Sequence, residues 1–520
     1  MGLERVFVKF SSSGYELRRI RFYDRAHRAP GFRRRVVEWA HARFSAGERM
    51  AVMGEQNVRS KTEVAELRRF LKHLLRDVRA MERMLEEGLI ESGVRRIGAE
   101  QELFLVDDTW RPAPLSTEVL QEVRDPHFTP ELARFNLEFN LDPLPFGGDC
   151  LRIMEDQLHQ LLDLARTAAA RCGARPVLTG ILPTLTKSDL SMDNMTPNPR
   201  YFALNEAMTR LRGGEYEFQI HGIDELAFHH DSIMVEACNT SFQVHFQVDP
   251  DQFAPMYNAA QAAAGPTLAA VANSPLLFGK RLWQETRVAL FQQSIDTRRS
   301  APHLREQAPR VSFGRQWVRS SVLEIFREDI ARFRAILSTE LDENPLQVLD
   351  RGGIPSLDAL RLHNSTVYRW NRVCYGIGEN GSAHLRIENR ALPSGPTVRD
   401  EVANAALWFG LVSGLLAEYG DVSRKMLFED VHTNFFAAAQ HVINSQQIWI
   451  GGKVLPAREL LLKELIPLAR HGLETSGIEA ADIDRYLGLM EERVEAAQPG
   501  AQWLLGSFAA MGSRGPLAER

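Results

Sequence analysis

Four segments of the chain share an alternation of apolar and polar residues, and this pattern constrains the fold more than any other feature. The segments FNLEFNLD (135–142), SFQVHFQV (241–248) and HLRIENR (384–390) show it most clearly. A fourth, RRIGAEQELFLVDD (95–108), sets Glu100 and Glu102 two residues apart. Side chains two apart on a strand share a face. Each segment is therefore predicted to be a strand with one apolar and one polar face.

Helical patterns separate these strands and complete the prediction of the fold class. Strands interspersed with helices, several of them alternating in polarity, favour an α+β fold with a largely antiparallel sheet. An amphipathic helix is predicted within residues 60–90, capped by Ser60 or Thr62. Further helices are predicted at 149–172, 255–273, 320–337 and 399–418, and across most of 421–510.

The same patterns suggest four parts of the 520-residue chain, which is long enough to bury a large core. Residues 1–49 are arginine-rich and weakly patterned, so we interpret them as a loosely ordered extension or as the product of a wrongly chosen start codon, with Met50 or Met53 as the true start. The other predicted parts are a helical segment at 50–94, a main domain at 95–420, and a helical region at 421–520 packed on that domain.

Composition excludes several classes of partner. The net charge of −5 argues against nucleic acid or an anionic membrane as the main partner. The longest apolar run, 403–417, is shorter than the roughly 20 residues that span a bilayer, so a buried helix is predicted. The N-terminus has no apolar signal region, and the four widely spaced cysteines read as reduced thiols. A cytoplasmic protein is expected.

The polar faces of the four strands admit two interpretations. An antiparallel sheet with one solvated face is common. These rows, however, contain no lysine; they hold paired glutamates, a histidine among amides, and an Arg-x-Glu-x-Arg run. Crowded carboxylates attract a cation, and hard oxygen ligands favour Mg²⁺ or Mn²⁺. Arginines beside them can bind phosphate or carboxylate through two parallel hydrogen bonds. A floor for metal ions and phosphates is the alternative to a solvated face.

The motif Gly98-x-Glu100-x-Glu102 resembles the opening strand of the glutamate–cysteine ligase type 2 family, carboxylate–amine ligases related to glutamine synthetase. Three later segments resemble that family in the same order, through Glu138, through His245, and through Glu388 with Arg390. The stretches NPRYFALN (198–205) and VANSPLLFGK (271–280) are also similar to family segments. The resemblance covers roughly residues 95–420. It implies an antiparallel sheet curved around a funnel, with helices on the outer face.

The resemblance also implies a chemistry. It predicts that ATP, with two or three Mg²⁺ ions, phosphorylates a carboxylate, and that an amine then displaces phosphate to form an amide. The expected acid is L-glutamate, and the expected amine is L-cysteine or another amine. Such phosphoryl transfer depends on positioning and charge neutralisation more than on a protein nucleophile. The implied partners are small molecules, and a homo-oligomer stays open.

Residue roles follow from the resemblance, position by position. The implied metal ligands lie on the four strands: Glu100, Glu102, Glu138, His245 and Glu388. Glu102 would hold the ion that bridges the ATP phosphates, and Arg386 and Arg390 join it as candidates for nucleotide binding. Arg390 would stabilise the transferring phosphoryl group, and Arg200 would reach phosphate or substrate. The segment 363–372 would line the amino-acid pocket or be a packed strand with surface arginines.

Two other functions remain open on the sequence. A metal-dependent amidase or hydrolase could use the same acidic floor through metal-bound water, without ATP. It would give the arginines beside Glu388 no role. A non-catalytic amino-acid or nucleotide-binding protein would have no need to keep mutually repelling glutamates. The ligase is therefore the leading hypothesis.

Overall fold

The computed structural model describes residues 3–11, 14–22, 64–298, 309–339, 341 and 343–511. The chain divides into two compact units, Met1–Val52 and Met53–Arg520. Within the first unit, strands Leu3–Ser11 and Gly14–Phe22 form an antiparallel hairpin. The rest of the predicted N-terminal extension and the predicted helix caps Ser60 and Thr62 lie outside the described residues, so these predictions stand as they were.

The strands, numbered along the chain, are β1 (Leu3–Ser11), β2 (Gly14–Phe22), β3 (Arg96–Val106), β4 (Phe128–Pro130), β5 (Asn136–Asn140), β6 (Leu144–Pro145), β7 (Arg175–Val177), β8 (Tyr216–His221), β9 (Glu225–His230), β10 (Phe242–Val248), β11 (Leu276–Leu277), β12 (Lys280–Arg281), β13 (Val311–Ser312), β14 (Tyr368–Arg369), β15 (Asn371–Ile377), β16 (Ala383–Asn389), β17 (Gln446–Trp449) and β18 (Lys453–Pro456).

The α-helices are α1 (Val64–Glu86), α2 (Ser116–Val123), α3 (Cys150–Arg171), α4 (Pro199–Arg212), α5 (Phe253–Val271), α6 (Thr286–Ser294), α7 (Val322–Arg332), α8 (Pro345–Asp350), α9 (Asp358–Asn364), α10 (Val398–Tyr419), α11 (Phe428–His441), α12 (Ala457–Leu460), α13 (Ile466–Thr475), α14 (Ala480–Glu495) and α15 (Gly500–Met511). Each predicted helix has a counterpart among them, with ends shifted by a few residues.

The second unit is built around one antiparallel sheet. Its strand order is β15-β16-β10-β3-β5-β4, with β6 and β7 also paired to β3. The sheet curls into a half-barrel with helices around it, so the predicted α+β class and curved antiparallel sheet are confirmed. All four alternating segments are strands of this sheet, and they are its four consecutive central strands, β16, β10, β3 and β5.

The register of the sheet places the polar residues on one face. Gln243 lies opposite Glu100, and His245 lies opposite Glu388. Glu102 lies opposite Glu138 on the next strand pair. Residues directly opposite each other in an antiparallel pair share a face and approach closely. Pairing therefore assembles the polar rows predicted from four separate segments into one surface.

The apolar face of the sheet packs against α10. The ring of Phe246 lies 6.4 Å from that of Trp408 and 5.2 Å from that of Phe409, between centroids. Among the described helices, α10 alone is long and apolar enough to cross a membrane, and 78% of its apolar window is buried inside the protein. The run 403–417 is thus a buried core helix, as predicted. Gly410 permits close approach of α13, because a Cβ there would lie 2.5 Å from the Ala469 carbonyl oxygen.

Helix α1 packs beside α9 and holds a buried carboxylate against it. Asp77 is 3% exposed, and its Oδ2 accepts a hydrogen bond of 2.9 Å from the backbone N–H of Leu360 in the first turn of α9. Burial raises the pKa of Asp77 to about 7, against the opposing effect of that hydrogen bond. A carboxylate at a helix N-terminus is stabilised by the free N–H groups there, but this one is deeply enclosed.

Candidate active site

The polar face carries two clusters of metal-ligand type side chains. Glu100, His245 and Glu388 form the first, and Glu102, Glu131 and Glu138 form the second. Within each cluster, one potential ligand atom per residue lies within 4.8 Å of the others. The five predicted metal ligands are Glu100, Glu102, Glu138, His245 and Glu388. All of them thus belong to one of two groups on the same face.

The first cluster contains a carboxylate oxygen without a hydrogen bond. Glu100 is 5% exposed, and its Oε1 lies 2.8 Å from Nε2 of His245. The two atoms do not meet at a hydrogen-bonding angle, so this buried oxygen has no hydrogen-bond partner among the described residues. A buried carboxylate oxygen left in that state is costly. The oxygen has a free lone pair for a cation.

His245 is held in a specific tautomer by Arg386. The Arg386 Nε–H donates a 3.0 Å hydrogen bond to Nδ1 of His245, so the ring proton of a neutral His245 lies on Nε2. A histidine that binds a metal uses one ring nitrogen and usually donates from the other. Metal binding at Nε2 would therefore require Arg386 to release Nδ1. The carboxylates fit a cation as they stand, whereas His245 fits one only after that change.

Glu388 is surrounded by positive charge. Its Oε2 accepts from Arg372 at 2.8 Å and from the Cys374 thiol at 3.1 Å, and its Oε1 pairs with Arg390. The side chain is fully buried. Burial alone would raise its pKa, but the guanidinium groups of Arg372 and Arg390 outweigh burial and hold the pKa of Glu388 well below its usual range. Of the two carboxylates in the first cluster, Glu388 is therefore the one that forms ion pairs with arginines.

The second cluster is a set of close carboxyl groups. Glu102 accepts 2.6 Å hydrogen bonds from the Ser241 N–H and from the Gln243 side chain. Burial, with the charges of Glu100 and Glu102, raises the pKa of Glu138 to about 8. Burial and the nearby Glu138 raise the pKa of Glu131 well above its usual range. A cation would take the place of the protons these groups hold.

The donor set decides which cation suits the two clusters. Five of the six side chains are carboxylates, which offer hard oxygen ligands of the kind Mg²⁺ and Mn²⁺ prefer. A zinc site would more often use cysteine or several histidines. Together with the unpartnered Glu100 oxygen, this donor set fits hard divalent ions.

The predicted arginines occupy three different positions. Arg390 follows the end of β16 and lies beside Glu388, and its buried Nε has no hydrogen-bond partner among the described residues. Arg386 lies on β16 and contacts His245. Arg200 is in the first turn of α4 and donates to Ser365 at 3.3 Å. Its neighbour Tyr201 bonds to the Pro130 carbonyl, one residue before Glu131.

Several residues of the site were not predicted. Glu131 belongs to no alternating segment and arrives from the loop after β4. Glu236 lies just before β10, and burial together with the charge of Glu102 raises its pKa to about 7.

Arg372 had a usable signal in the sequence, namely its place in the alternating segment 363–372. The reading of that segment as a strand with surface arginines is wrong, because the side chains of Arg369 and Arg372 are only 6% and 13% exposed.

Comparison with known proteins supplies independent evidence on the family and the fold of the chain. The sequence profile of the family described as glutamate-cysteine ligase family 2 matches residues 96–519. No curated protein sequence matches the chain significantly. A glutamate–cysteine ligase from Francisella tularensis, solved in complex with AMP, is similar in structure with a TM-score of 0.50 and 10% identity, over 80% of this chain and 85% of that one.

A second solved structure is less similar. The bifunctional glutathione synthetase from Pasteurella multocida has a TM-score of 0.46 and 12% identity, over 85% of this chain and 52% of that one. A TM-score at that level supports no further argument. The Francisella enzyme supports the fold, and the family profile supports membership.

Proposed function

The chain belongs to the glutamate-cysteine ligase family 2, and from that premise we propose that it forms a γ-glutamyl amide from L-glutamate and an amine, with L-cysteine as the first candidate. Membership of this family supports the broader activity, that of an ATP-dependent carboxylate–amine ligase. The proposal adds the acid, the amine and the residue roles. Free thiols at all four cysteines agree with a cytoplasmic location, which we also propose.

One observation supports the proposal above all others: two carboxylate clusters and three arginines share one face of the sheet. Glu388, a member of the first cluster, pairs with the guanidinium groups of both Arg372 and Arg390. A hydrolase that activates water needs the acidic groups but not this row of arginines. Joining a carboxylate to an amine with ATP requires both, since negative charge on phosphate and carboxylate must be neutralised together.

The chain's own residues divide this work. Glu100 and Glu388, with His245 once Arg386 releases it, would hold one Mg²⁺ or Mn²⁺ ion, and Glu102, Glu131 and Glu138 would hold the ion facing the nucleotide. When bound, these ions would neutralise the phosphate charge of ATP and orient the transferred phosphoryl group.

The arginines act on the reacting oxygens. Arg390 would donate to the phosphoryl oxygens as charge develops on them, and Arg386 would donate to the nucleotide phosphates. Arg200 would reach the carboxylate or the phosphate from α4. A carboxylate becomes a good electrophile only when one oxygen can leave as phosphate, so an acyl phosphate precedes the attack of the amine.

Hydroxylamine offers a test that does not depend on the natural amine, because it traps an acyl phosphate as a hydroxamate. Purified enzyme with Mg²⁺, ATP, L-glutamate and hydroxylamine should form glutamyl hydroxamate and ADP in equal amounts. Omission of Mg²⁺, ATP or L-glutamate should abolish both products, and omission of hydroxylamine should abolish the hydroxamate. A panel of amines, beginning with L-cysteine, should then give the natural amide, identified by mass spectrometry.

Two variants, one within the site and one control outside it, show whether the products come from this site. Glu100→Gln should be inactive, whereas Glu225→Gln, a change to a 62% exposed carboxylate on β9, should leave the rate unchanged. Amide cleavage without ATP would favour the hydrolase. Absence of ADP across a broad panel of acids and amines would reject the ligase.

A further inference from the structure

A buried arginine that none of the proposed roles uses lies directly behind Arg390. Arg287, on α6, is 3% exposed. Its Nη2 donates a 3.1 Å hydrogen bond to the main-chain carbonyl of Arg390, and its Nη1 donates a 3.2 Å bond to the carbonyl of Ala391. One guanidinium thus holds two consecutive carbonyls, at the point where the chain leaves β16.

The charge of Arg287 is balanced by a carboxylate that is itself fixed. Glu285 Oε1 pairs with Arg287 Nη1 at 3.1 Å, and Glu285 is fully buried. Its Oε2 accepts a 2.8 Å hydrogen bond from the Asn273 N–H, and the Asn273 side chain donates to the Ser394 carbonyl at 2.9 Å. A buried ion pair is tolerated only with such supporting hydrogen bonds. The pair is therefore anchored on two sides of the turn that follows Arg390.

The main chain of Arg390 is held from both directions. Its N–H donates to the Trp370 carbonyl at 2.9 Å, and its carbonyl accepts from Arg287. Its side chain pairs with Glu388. With the backbone held at both peptide groups, the direction of the Cα–Cβ bond of Arg390 is fixed, and the pair with Glu388 holds the far end of the side chain.

Arg287 is tightly packed on the side that faces Gly180. A Cβ built on Gly180 would lie 3.0 Å from Cδ of Arg287 and 3.1 Å from the Asn273 carbonyl oxygen. Contacts at that distance force a neighbour to move by a few tenths of an ångström. Gly180 thus offers a way to displace Arg287 slightly without removing its charge.

We propose that Arg287 is a positioning residue, which sets the placement of the Arg390 guanidinium by holding the carbonyls of Arg390 and Ala391. The inference rests on the proposed function of Arg390 in phosphoryl transfer. Small errors of placement are costly in such reactions, where a shift of about 1 Å can lower the rate by ~10²-fold.

Arg287→Lys is the direct test. A lysine keeps the charge opposite Glu285, but its compact ammonium cannot reproduce the planar fork that reaches two carbonyls. We expect kcat for hydroxamate formation to fall by about 10- to 100-fold, with KM for ATP and L-glutamate within about twofold of wild type. A loss expressed in KM instead of kcat would contradict the positioning role.

The same change in an Arg390→Ala background separates positioning from general damage. If Arg287 acts through Arg390, Arg287→Lys should change kcat by less than about twofold once the Arg390 side chain is absent. Losses that multiply in the double variant would overturn the inference. A wild-type rate for Arg390→Ala itself would instead overturn the proposed role of Arg390, so the two failures are distinguishable.

Arg310→Lys is the matched control. Arg310 is also 3% exposed and also donates to two main-chain carbonyls, those of Thr366 and Arg334, at 3.0 and 2.7 Å. Its kcat should stay within about twofold of wild type even if its melting temperature falls. An equal loss of kcat in this control would show that any buried arginine matters.

Gly180→Ala covers the case in which Arg287→Lys does not fold. It should lower kcat in the wild-type background and leave kcat unchanged in the Arg390→Ala background. An unchanged kcat in soluble Gly180→Ala, measured with Arg287 shown to be displaced in a crystal structure, would reject the inference.

Discussion

Glu100 and Glu388 both face His245, but only Glu388 pairs directly with arginines. Glu100 stands among other carboxylates and has an oxygen without a hydrogen-bond partner. Glu388 is enclosed by Arg372, Arg390 and a thiol. From the sequence, both residues belong to a row of repelling acids, and neutralising either would be expected to relieve repulsion. The structure restricts that expectation to Glu100.

The first prediction contrasts Glu100→Gln with Glu388→Gln. Both should abolish hydroxamate formation, because both remove a proposed metal ligand. Without metal, Glu100→Gln should hold or raise the melting temperature, since it removes one of several crowded charges. Glu388→Gln should lower it by several degrees, because removing one partner of a buried ion pair costs about 3–5 kcal/mol. Differential scanning calorimetry of the metal-free proteins measures both.

Two results would contradict this contrast. Equal melting temperatures for the two variants would show that the ion pairs of Glu388 with Arg372 and Arg390 do not stabilise the fold. Normal activity in either variant would mean that the carboxylates form only a solvated face. The shift in melting temperature induced by Mg²⁺ and ATP should also shrink in both variants.

The second prediction concerns the chemistry of Arg390. Arg390→Lys should be nearly as damaging as Arg390→Ala, because an ammonium cannot hold two phosphoryl oxygens as a planar fork does. We expect a fall in kcat of about 10²–10³-fold, comparable to the loss of one transition-state donor, with little change in KM for L-glutamate. If Arg390 only balances Glu388, lysine should substitute well. A variant within about threefold of wild type, under ~1 kcal/mol, would then reject the catalytic role.

At the scale of secondary-structure elements, α1 is tied to the core by polar contacts as well as apolar packing. Arg83 pairs with Asp350 on α8 at 2.6 Å, and Glu82 pairs with Arg327 on α7 at 2.6 Å. These exposed pairs contribute little. The buried Asp77, bonded to the start of α9, is the contact that should matter.

The third prediction follows from the raised pKa of Asp77. Its folded-state pKa of about 7 exceeds its ordinary value of 3.8, so the folded state holds a proton that the unfolded state releases. The associated stability is present below pH 4 and is lost as pH rises toward and through 7. Asp77→Asn keeps an acceptor for Leu360 and removes the titration. Its melting temperature relative to wild type should therefore rise by several degrees between pH 5 and pH 8.

Asp350→Asn is the control for this measurement. Asp350 is 64% exposed on α8, and its replacement should shift the melting temperature equally at both pH values. A constant difference between Asp77→Asn and wild type from pH 5 to pH 8 would show that Asp77 does not titrate in this range.

At the scale of the whole molecule, the chain divides into two units, and the sheet lies in the second. The unit that contains the sheet comprises Met53–Arg520, and the family profile begins at residue 96. Helix α1, from Val64, is the first described element of this unit. The hairpin β1–β2 belongs to the other unit.

The fourth prediction is that a chain beginning at Met50 will be soluble and active. Every residue assigned to the site follows residue 95, and the core begins within α1. Because the described core residues of this unit begin at Phe70, removing residues 1–49 should cost little stability. Size-exclusion chromatography and the hydroxamate assay test this directly. An insoluble or inactive product would make the N-terminal segment part of the working fold.

The sequence by itself determined which residues share a face, because alternation along a strand is a local property of the backbone. It was thus sufficient for the fold class, for the buried helix α10, and for five acidic or imidazole side chains that the sheet brings together. Tertiary structure alone decided their surroundings. Glu131 arrives from a loop, Arg372 is paired by strand register, and Arg287 approaches from α6. These contacts depend on how distant segments meet, and no local pattern encodes the sign of the charge that another segment brings.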